Sequence, residues 1–341
     1  MWRKPQVWIG FIISALALYL AFHGINWSEL GENLRVANYS YLLLSAGALV
    51  IAIWIRAERW RWLFGVQRDK VTRTRAFNAT SIGYLVTNIF PLRLGELARI
   101  FFISRDGKVS VALAASTIVV EHVLDVLTVL GILIVIVLGG SLPVPDWARQ
   151  GAAVAGVAFG GALIVMLISV WQRQRVERLS EILFSSFGRL DTQKWVGVVS
   201  NILDGFAVLR QGRPLVMVVF WSIVGWLCSA VTLHLALLAF LPSPPFAYSL
   251  FTTVTTTFIL LLPATPGGVG TLDWAMQQSL VVFGVSATLA LGFALVFHAM
   301  EIIVMDLLGV VCLLREAGSW ATAKAQLRSA TSTAEVETTG P

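Results

Sequence analysis

Charge is scarce in this 341-residue chain: Asp, Glu, Lys and Arg make up 13% of it, against 57% hydrophobic residues. A soluble domain carries roughly 25% charged and about 45–50% apolar residues, and a compact soluble chain must still cover its surface with polar groups. The shortfall excludes a cytosolic globular enzyme, a disordered chain and a coiled coil. Cysteine is scarcer still. Cys228 and Cys312 are the two present, both inside apolar runs, so there is no disulfide framework and each reads as a small apolar side chain. With four His and neither His-Glu-x-x-His nor Cys-x-x-Cys, no metal and no other cofactor is expected. A Walker loop and a Gly-x-Ser-x-Gly elbow are also missing, which removes two common enzyme designs. Gly268-Val-Gly270 is a fragment of a dinucleotide fingerprint without its strand context.

What the chain has instead is long apolar runs, with a mean hydropathy of +0.79. A spanning helix needs about 20 mostly apolar residues. Six stretches qualify: Val7–His23, Tyr41–Arg56, Val111–Gly139, Gly151–Trp171, Leu215–Leu241 and Ala287–Leu314. Arg3 and Lys4 ahead of the first run resemble a signal peptide, yet no small-residue cleavage site follows at Phe22–Ile25, so the run reads as an uncleaved anchor. Two more apolar stretches are interrupted at their centres. Residues 77–103 contain Asn88, Pro91, Arg93, Gly95, Glu96 and Arg99; residues 248–283 contain Pro263, Pro266, Gly267, Gly268, Gly270 and Asp273. Pro removes a backbone donor and Gly relaxes φ, and irregular backbone at membrane depth must be buried in protein or face a wet cavity. Both stretches are expected to be re-entrant hairpins.

Loop charges orient the chain. Arg59, Arg61, Arg68, Lys70, Arg73 and Arg75 follow the second span, and 172–214 carries Arg173, Arg175, Arg178, Arg189, Lys194, Arg210 and Arg213. Residues 141–150 have one Arg and 242–247 have no charge. The positive-inside rule then puts both termini in the cytoplasm, and six crossings satisfy this when each hairpin returns to the side it entered. The net charge of +6 fits cytoplasmic loops beside anionic headgroups rather than nucleic acid. The expected fold is an all-α polytopic membrane protein of about six spans and two hairpins, in the cytoplasmic (inner) membrane of a bacterium or archaeon.

The halves also resemble each other. Pro91-Leu-Arg-Leu-Gly95 aligns with Pro266-Gly-Gly-Val-Gly270; His122 and Asp125 follow the first motif at nearly the spacing by which His298 and Glu301 follow the second. An odd number of crossings per half inverts the second copy, and broken helices at matching places in inverted repeats point to a transporter's midplane site. The expected organisation is a first repeat over 1–140, an external loop and first span of the second repeat over 141–172, and a cytoplasmic amphipathic linker over 173–213. The rest of the second repeat covers 214–315 and a disordered cytoplasmic tail 316–341. In the linker, Leu179, Ile182, Leu183, Phe187 and Leu190 recur at helical spacing, which suits a surface helix.

Ionisable side chains are costly at the bilayer centre and need a partner or a function. Arg93 and Glu96 fall on the broken tip, where half-helix amides also bind anions and an Arg fork can hold two phosphate oxygens; a structural Arg93–Glu96 pair is the competing reading. Substrate-binding candidates are Arg93, Glu96, Arg99, Asn88, Gly267, Gly268, Gly270 and Asp273. Glu121, His122 and Asp125 fall within about one helical turn, with His298 and Glu301 in the corresponding place, as candidates for proton coupling or charge balance. Interhelical hydrogen bonding is the alternative for all five. The hydroxyls of Thr252, Thr253, Thr255, Thr256 and Thr257 are expected to bond back to helix carbonyls, and Trp54, Trp60 and Trp62 to join an interfacial belt.

Together, Arg56-x-x-Arg59-Trp60, Asn88-x-x-Pro91-x-Arg93-x-Gly95-Glu96-x-x-Arg99, Glu121-His-Val-x-Asp125 and Pro266-Gly-Gly-Val-Gly270 resemble the integral membrane domain of lysylphosphatidylglycerol synthetases and their stand-alone, flippase-like relatives. The resemblance covers Val7–Leu314. The family usually shows Glu-Arg where this chain has Glu121-His122, Glu near Asp273 and Arg near His298. Members that aminoacylate lipid carry a soluble transferase domain after the membrane part, and here only a short tail follows Leu314. The resemblance therefore implies a non-enzymatic transporter moving an anionic phospholipid or polyisoprenoid-phosphate lipid between leaflets, with proton coupling as an open expectation. An intramembrane headgroup transferase and a membrane subunit recruiting a glycosyltransferase are the alternatives; a second copy of the chain or such a glycosyltransferase are the candidate protein partners.

Overall fold

The computed structural model describes residues 5–90, 94–138, 172–186, 210–260 and 265–338, with scattered residues between 150 and 203. Side chains of the last helix are described as far as residue 318. Arg93, most of the expected span over 151–171, nearly all of the loop 141–150 and most of 187–209 lie outside the described residues.

Among the described residues every regular element is a helix, as apolar runs require when lipid offers no partner for the backbone. In chain order they are α1 (Pro5–Phe22), α2 (Trp27–Val36), α3 (Tyr39–Leu63), α4 (Arg73–Ile89), α5 (Leu94–Ser104), α6 (Val111–Leu138), α7 (Arg173–Ser186), α8 (Gly212–Leu237), α9 (Phe246–Ile259), α10 (Thr271–Val281) and α11 (Ala287–Thr338). Short polar side chains start several of them: Asn26 Oδ1 accepts from the Ser28 and Glu29 amides, and Thr72 Oγ1 accepts from the Arg75 amide. Four helices are long and apolar enough to cross a membrane: α3, α6, α8 and the Ala287–Gly318 part of α11. Gly10–Phe22 and Trp27–Val36, bent by 87° at their junction, make a fifth candidate when taken as one span. The molecule is an all-helical membrane protein with four or five candidate spans among the described residues, where the sequence predicts six over the whole chain.

Both interrupted stretches fold as antiparallel helical hairpins. In α4–α5, Gly83 backs onto Gly95 and onto the stem of Arg99, while Arg75, at the start of α4, donates to the Ile103 carbonyl at 2.6 Å. In α9–α10, Thr255 and Ser279 share a hydroxyl bond and Tyr248 stacks on Phe283, ring centroids 4.2 Å apart. Each hairpin thus begins and ends at one end of the molecule. The first opens at a basic end, where Arg75 pairs with Asp106 and Arg105 with Glu316. The second opens at the opposite end, near the Asn38 amide that donates to Ala239 O at 2.9 Å.

The hairpin tips meet halfway between these ends. Gly267 lies beside the Asn88 carbonyl and Ile302, and Ile302 is midway along Ala287–Gly318. Asn88 Nδ2 donates to Asp306 at 2.9 Å. Around the tips, α3 packs antiparallel on α8, α4 packs on α11, and α9 packs on α6. Four of the five threonines behave as expected: Thr253, Thr255, Thr256 and Thr257 donate to carbonyls four residues back, while the buried Thr252 hydroxyl has no partner among the described residues.

Two expectations are corrected. Residues 316–338, read as disordered, continue α11. The stretch 321–328, Ala-Thr-Ala-Lys-Ala-Gln-Leu-Arg, is mostly good helix formers, which propagate a helix already nucleated in the membrane part. Trp60, read as part of the interfacial belt, is fully buried and donates to Thr117 Oγ1 at 3.0 Å.

Two outcomes follow from the first hairpin. A Cβ at Gly95 would run into the Gly83 carbonyl and the Thr87 hydroxyl, so Gly95→Ala should cost about 1–3 kcal/mol by forcing the arms apart. Gly131→Ala, where nothing lies within contact distance, serves as the control in thermal unfolding. Second, Lys70 and Lys108 line one cavity at the basic end, so cysteines placed at 70 and 108 should label from the same side of sealed vesicles.

Candidate functional site

Helical periodicity assembles the first cluster. Arg56, Arg59 and Trp60 fall three and four residues apart on α3, Glu96 and Arg99 three apart on α5, and Glu121 and Asp125 four apart on α6, so each set shares a face. Where these faces meet, Arg59 forks onto both carboxylates. Its Nη1 bonds Asp125, and its Nη2 donates to Asp125 Oδ2 at 3.1 Å and to Glu121 Oε1 at 2.9 Å. Arg99 Nη2 donates to Glu121 Oε2 at 2.7 Å, and the Trp226 indole of α8 donates to Asp125 Oδ1 at 3.0 Å. The guanidinium of Arg99 lies 4.2 Å from the Trp60 ring centroid. Arg56 lies 5.0 Å from that of Trp226 and donates to Ser229 Oγ at 3.0 Å.

Three guanidinium groups converge here: two carboxylates are bonded directly, Glu301 lies in electrostatic reach of Arg56, and the Arg59 side chain is 3% exposed. The Nε atoms of Arg59 and Arg99 are buried with no acceptor among the described residues. Buried N–H groups are rarely left so, and two of them on neighbouring guanidinium groups suit an anion. Removing one partner of a buried ion pair typically costs about 3–5 kcal/mol, so Glu121 and Asp125 depend on Arg59.

The histidines find partners other than those expected. On α6, His122 Nε2 donates to Glu96 Oε1 of the hairpin at 2.9 Å, while Asp125, its expected partner, is taken by Arg59 and Trp226. On α11, His298 Nδ1 donates to Asp273 Oδ1 of the second hairpin at 2.9 Å rather than to Glu301, and its Nε2 faces the Gly267 carbonyl at 2.9 Å. In both cases the histidine bonds a carboxylate on the second arm of the hairpin that precedes it in the chain. The side chains of His122 and Glu96 are 45% and 32% exposed; those of His298 and Asp273 are 6% and 3% exposed.

The glycine turn serves the second pairing. Gly267, Gly268 and Gly270 have φ of 67°, 73° and 87°, a region that favours glycine. The Gly270 amide donates to Asp273 Oδ2 at 2.8 Å, capping α10. Asp273 is thus engaged by both a cap and a histidine, which makes it a positioning residue of the turn. Of the predicted residues, the structure joins Arg99, Glu121 and Asp125 in one cluster with the Glu96–His122 pair adjoining it. It joins Gly267, Gly270, Asp273 and His298 in another, with the Asn88 carbonyl beside Gly267. Arg93 lies outside the described residues, so its expected pairing with Glu96 is not described.

Arg56, Arg59 and Trp226 were not among the predicted site residues. Arg59 counts with the loop cations when the span is ended at Arg56, yet α3 continues to Leu63 and carries it inward. The signal was the spacing itself: two arginines and a tryptophan on one face at the end of an apolar run. Among the described residues no group of three or more His, Cys, Asp or Glu could hold a metal.

Comparison with known proteins agrees with this architecture. The model of the lysylphosphatidylglycerol synthase TM region matches residues 7–309. A Haloferax volcanii protein named glycosyltransferase AglD is 24% identical over 332 residues, covering 88% of this chain and 52% of that protein, so this chain spans about half of that relative's length. UPF0104 membrane proteins of Methanothermobacter thermautotrophicus and Methanocaldococcus jannaschii are 24% and 22% identical, covering 88% and 89% of this chain and 92% and 93% of theirs. No solved structure matches. With most of its length matched, this multi-pass membrane protein belongs to the lysylphosphatidylglycerol synthase TM region family.

Proposed function

We propose that the chain moves an anionic, phosphate-bearing lipid between leaflets, holding the headgroup at Arg56, Arg59 and Arg99. The observation that carries this reading is a cluster of three arginines with two unspent buried donors, set where the first hairpin meets α3, α6 and α8. In this reading the basic end is cytoplasmic, both hairpins are re-entrant, and the halves are inverted copies. Packing supports the last point. The first arm of each hairpin packs on the last helix of the other half, as α4 on α11 and α9 on α6, while the equivalent helices α3 and α8 pack on each other. Broken helices meeting at mid-depth are the arrangement expected of alternating access.

A second reading has a specific observation behind it. The match to about half of a protein named a glycosyltransferase suits a membrane subunit that works beside such an enzyme. Covalent turnover of lipid by the purified chain would instead favour a headgroup transferase.

Proteoliposomes carrying fluorescent phosphatidylglycerol separate these readings. Arg56, unlike Arg59, has no carboxylate within ion-pair distance among the described residues, so Arg56→Ala should fold and yet lower transfer at least tenfold. Arg59→Ala should lower stability as well, by about 3–5 kcal/mol. Transfer at the wild-type rate by folded Arg56→Ala would remove the headgroup from this site.

Proton coupling is tested separately. Free histidine titrates near pH 6.5. His122 faces Glu96 on α5 and lies near Glu121 and Asp125 on its own helix, with Arg99 of α5 bound to Glu121 and Arg59 of α3 bound to both of those carboxylates. An imposed pH gradient should change the transfer rate of the wild type and not of His122→Gln. Equal rates with and without the gradient would identify a passive scramblase.

A further inference from the structure

At the basic end, apart from the Arg59 cluster, a cavity of about 310 Å³ opens between the turn before α4, the first turn of α4, the loop joining α5 to α6, and α11. Lys70, Arg75, Arg105 and Lys108 line it with Asp106 and Glu316, leaving two positive charges in excess. The acids are already committed. Arg75 bonds both Asp106 oxygens, Nη2 to Oδ1 at 2.7 Å, and holds that carboxyl below the usual carboxylate range. Glu316 pairs with Arg105 and accepts from Asn78 Nδ2 at 2.8 Å. The excess therefore rests on the two lysines. Lys70 Nζ donates to the neutral Gln67 carbonyl oxygen at 3.3 Å, and Lys108 Nζ stands 3.7 Å from an Asp106 that Arg75 already neutralises.

The first turn of α4 adds to this. Thr74 lines the cavity, and the Arg73 and Thr74 amides precede the first intrahelical bond, which Ala76 makes to Thr72 O at 3.0 Å. These amides and the helix dipole favour an anion there. Two mobile ammonium groups, a helix N-terminus and walls already fixed by Arg–carboxylate pairs make a site for phosphate oxygens. Basic recesses between membrane helices at this level are known to take lipid headgroups.

We propose that this cavity binds a phosphate monoester or diester, held by Lys70, Lys108 and the first-turn amides of α4. Such a ligand would bridge the base of the first hairpin to α11, the two elements already joined by Arg105 and Glu316. The proposal stands without the transport reading, because none of these residues belongs to the Arg56–Arg59–Arg99 cluster.

The test uses the full chain in phosphatidylcholine nanodiscs. One arm adds phosphatidylglycerol and counts retained lipid by native mass spectrometry; the other titrates inorganic pyrophosphate by calorimetry. Lys70→Gln with Lys108→Gln should weaken binding about thirtyfold, as expected for two lysines beside an anionic surface. Arg56→Ala should leave this binding unchanged. Thr74→Glu puts a negative charge where a helix N-terminus tolerates it, so it should weaken binding without loss of thermal stability. Loss confined to phosphatidylglycerol assigns a lipid headgroup, and loss confined to pyrophosphate assigns a soluble phosphate. Affinities for both probes unchanged by the lysine substitutions and by Thr74→Glu would overturn the proposal.

Discussion

The fork of Arg59 onto Glu121 and Asp125 is the contact on which the packing of α3, α5, α6 and α8 depends. A charge taken from water into this bundle loses several kcal/mol of solvation, regained only by close, complementary partners. One guanidinium supplies bonds to two carboxylates on successive turns of α6. Each carboxylate then holds a different element: Glu121 takes Arg99 from the hairpin, and Asp125 takes the Trp226 indole from α8. Three helices and one hairpin arm are thereby fixed relative to one another through polar contacts. Hydrophobic burial could not do this in lipid, where apolar surface has no water to avoid.

Much of this was legible in the sequence because a bilayer limits the alternatives. Apolar runs of sufficient length must be helices, and α3, α6, α8 and α11 lie where the runs predict them. The hairpins were legible through Pro and Gly, whose backbone chemistry forces a break wherever they fall in an apolar run. Partner choice was less so. Spacing along a single helix put His122 with Asp125 and His298 with Glu301, since side chains three apart are neighbours. It carries no information on a third residue arriving from another helix. Asp125 is claimed by Arg59 from sixty-six positions away, and His298 by Asp273 from twenty-five. Arg59 was misplaced for a related reason: hydropathy ends a span at its first cation, whereas the helix ends at Leu63.

The two histidine–carboxylate pairs bring these lines together. Their equivalence emerges only in the fold, since Glu96 lies five residues after Pro91 and Asp273 seven after Pro266, a mismatch that hides the correspondence from simple alignment. Both tie the second arm of a hairpin to the long apolar helix that follows it in the chain, and they differ in burial. His122 and Glu96 are partly exposed, whereas His298 and Asp273 are sealed. A sealed ring with a carboxylate at Nδ1 and a carbonyl at Nε2 satisfies both contacts by carrying two protons, so a proton leaving it would break one bond and loosen the glycine turn. The His122 ring is held differently: it has a single carboxylate contact, so a proton leaving it costs one bond while Arg99 still ties the same hairpin arm to Glu121 of α6.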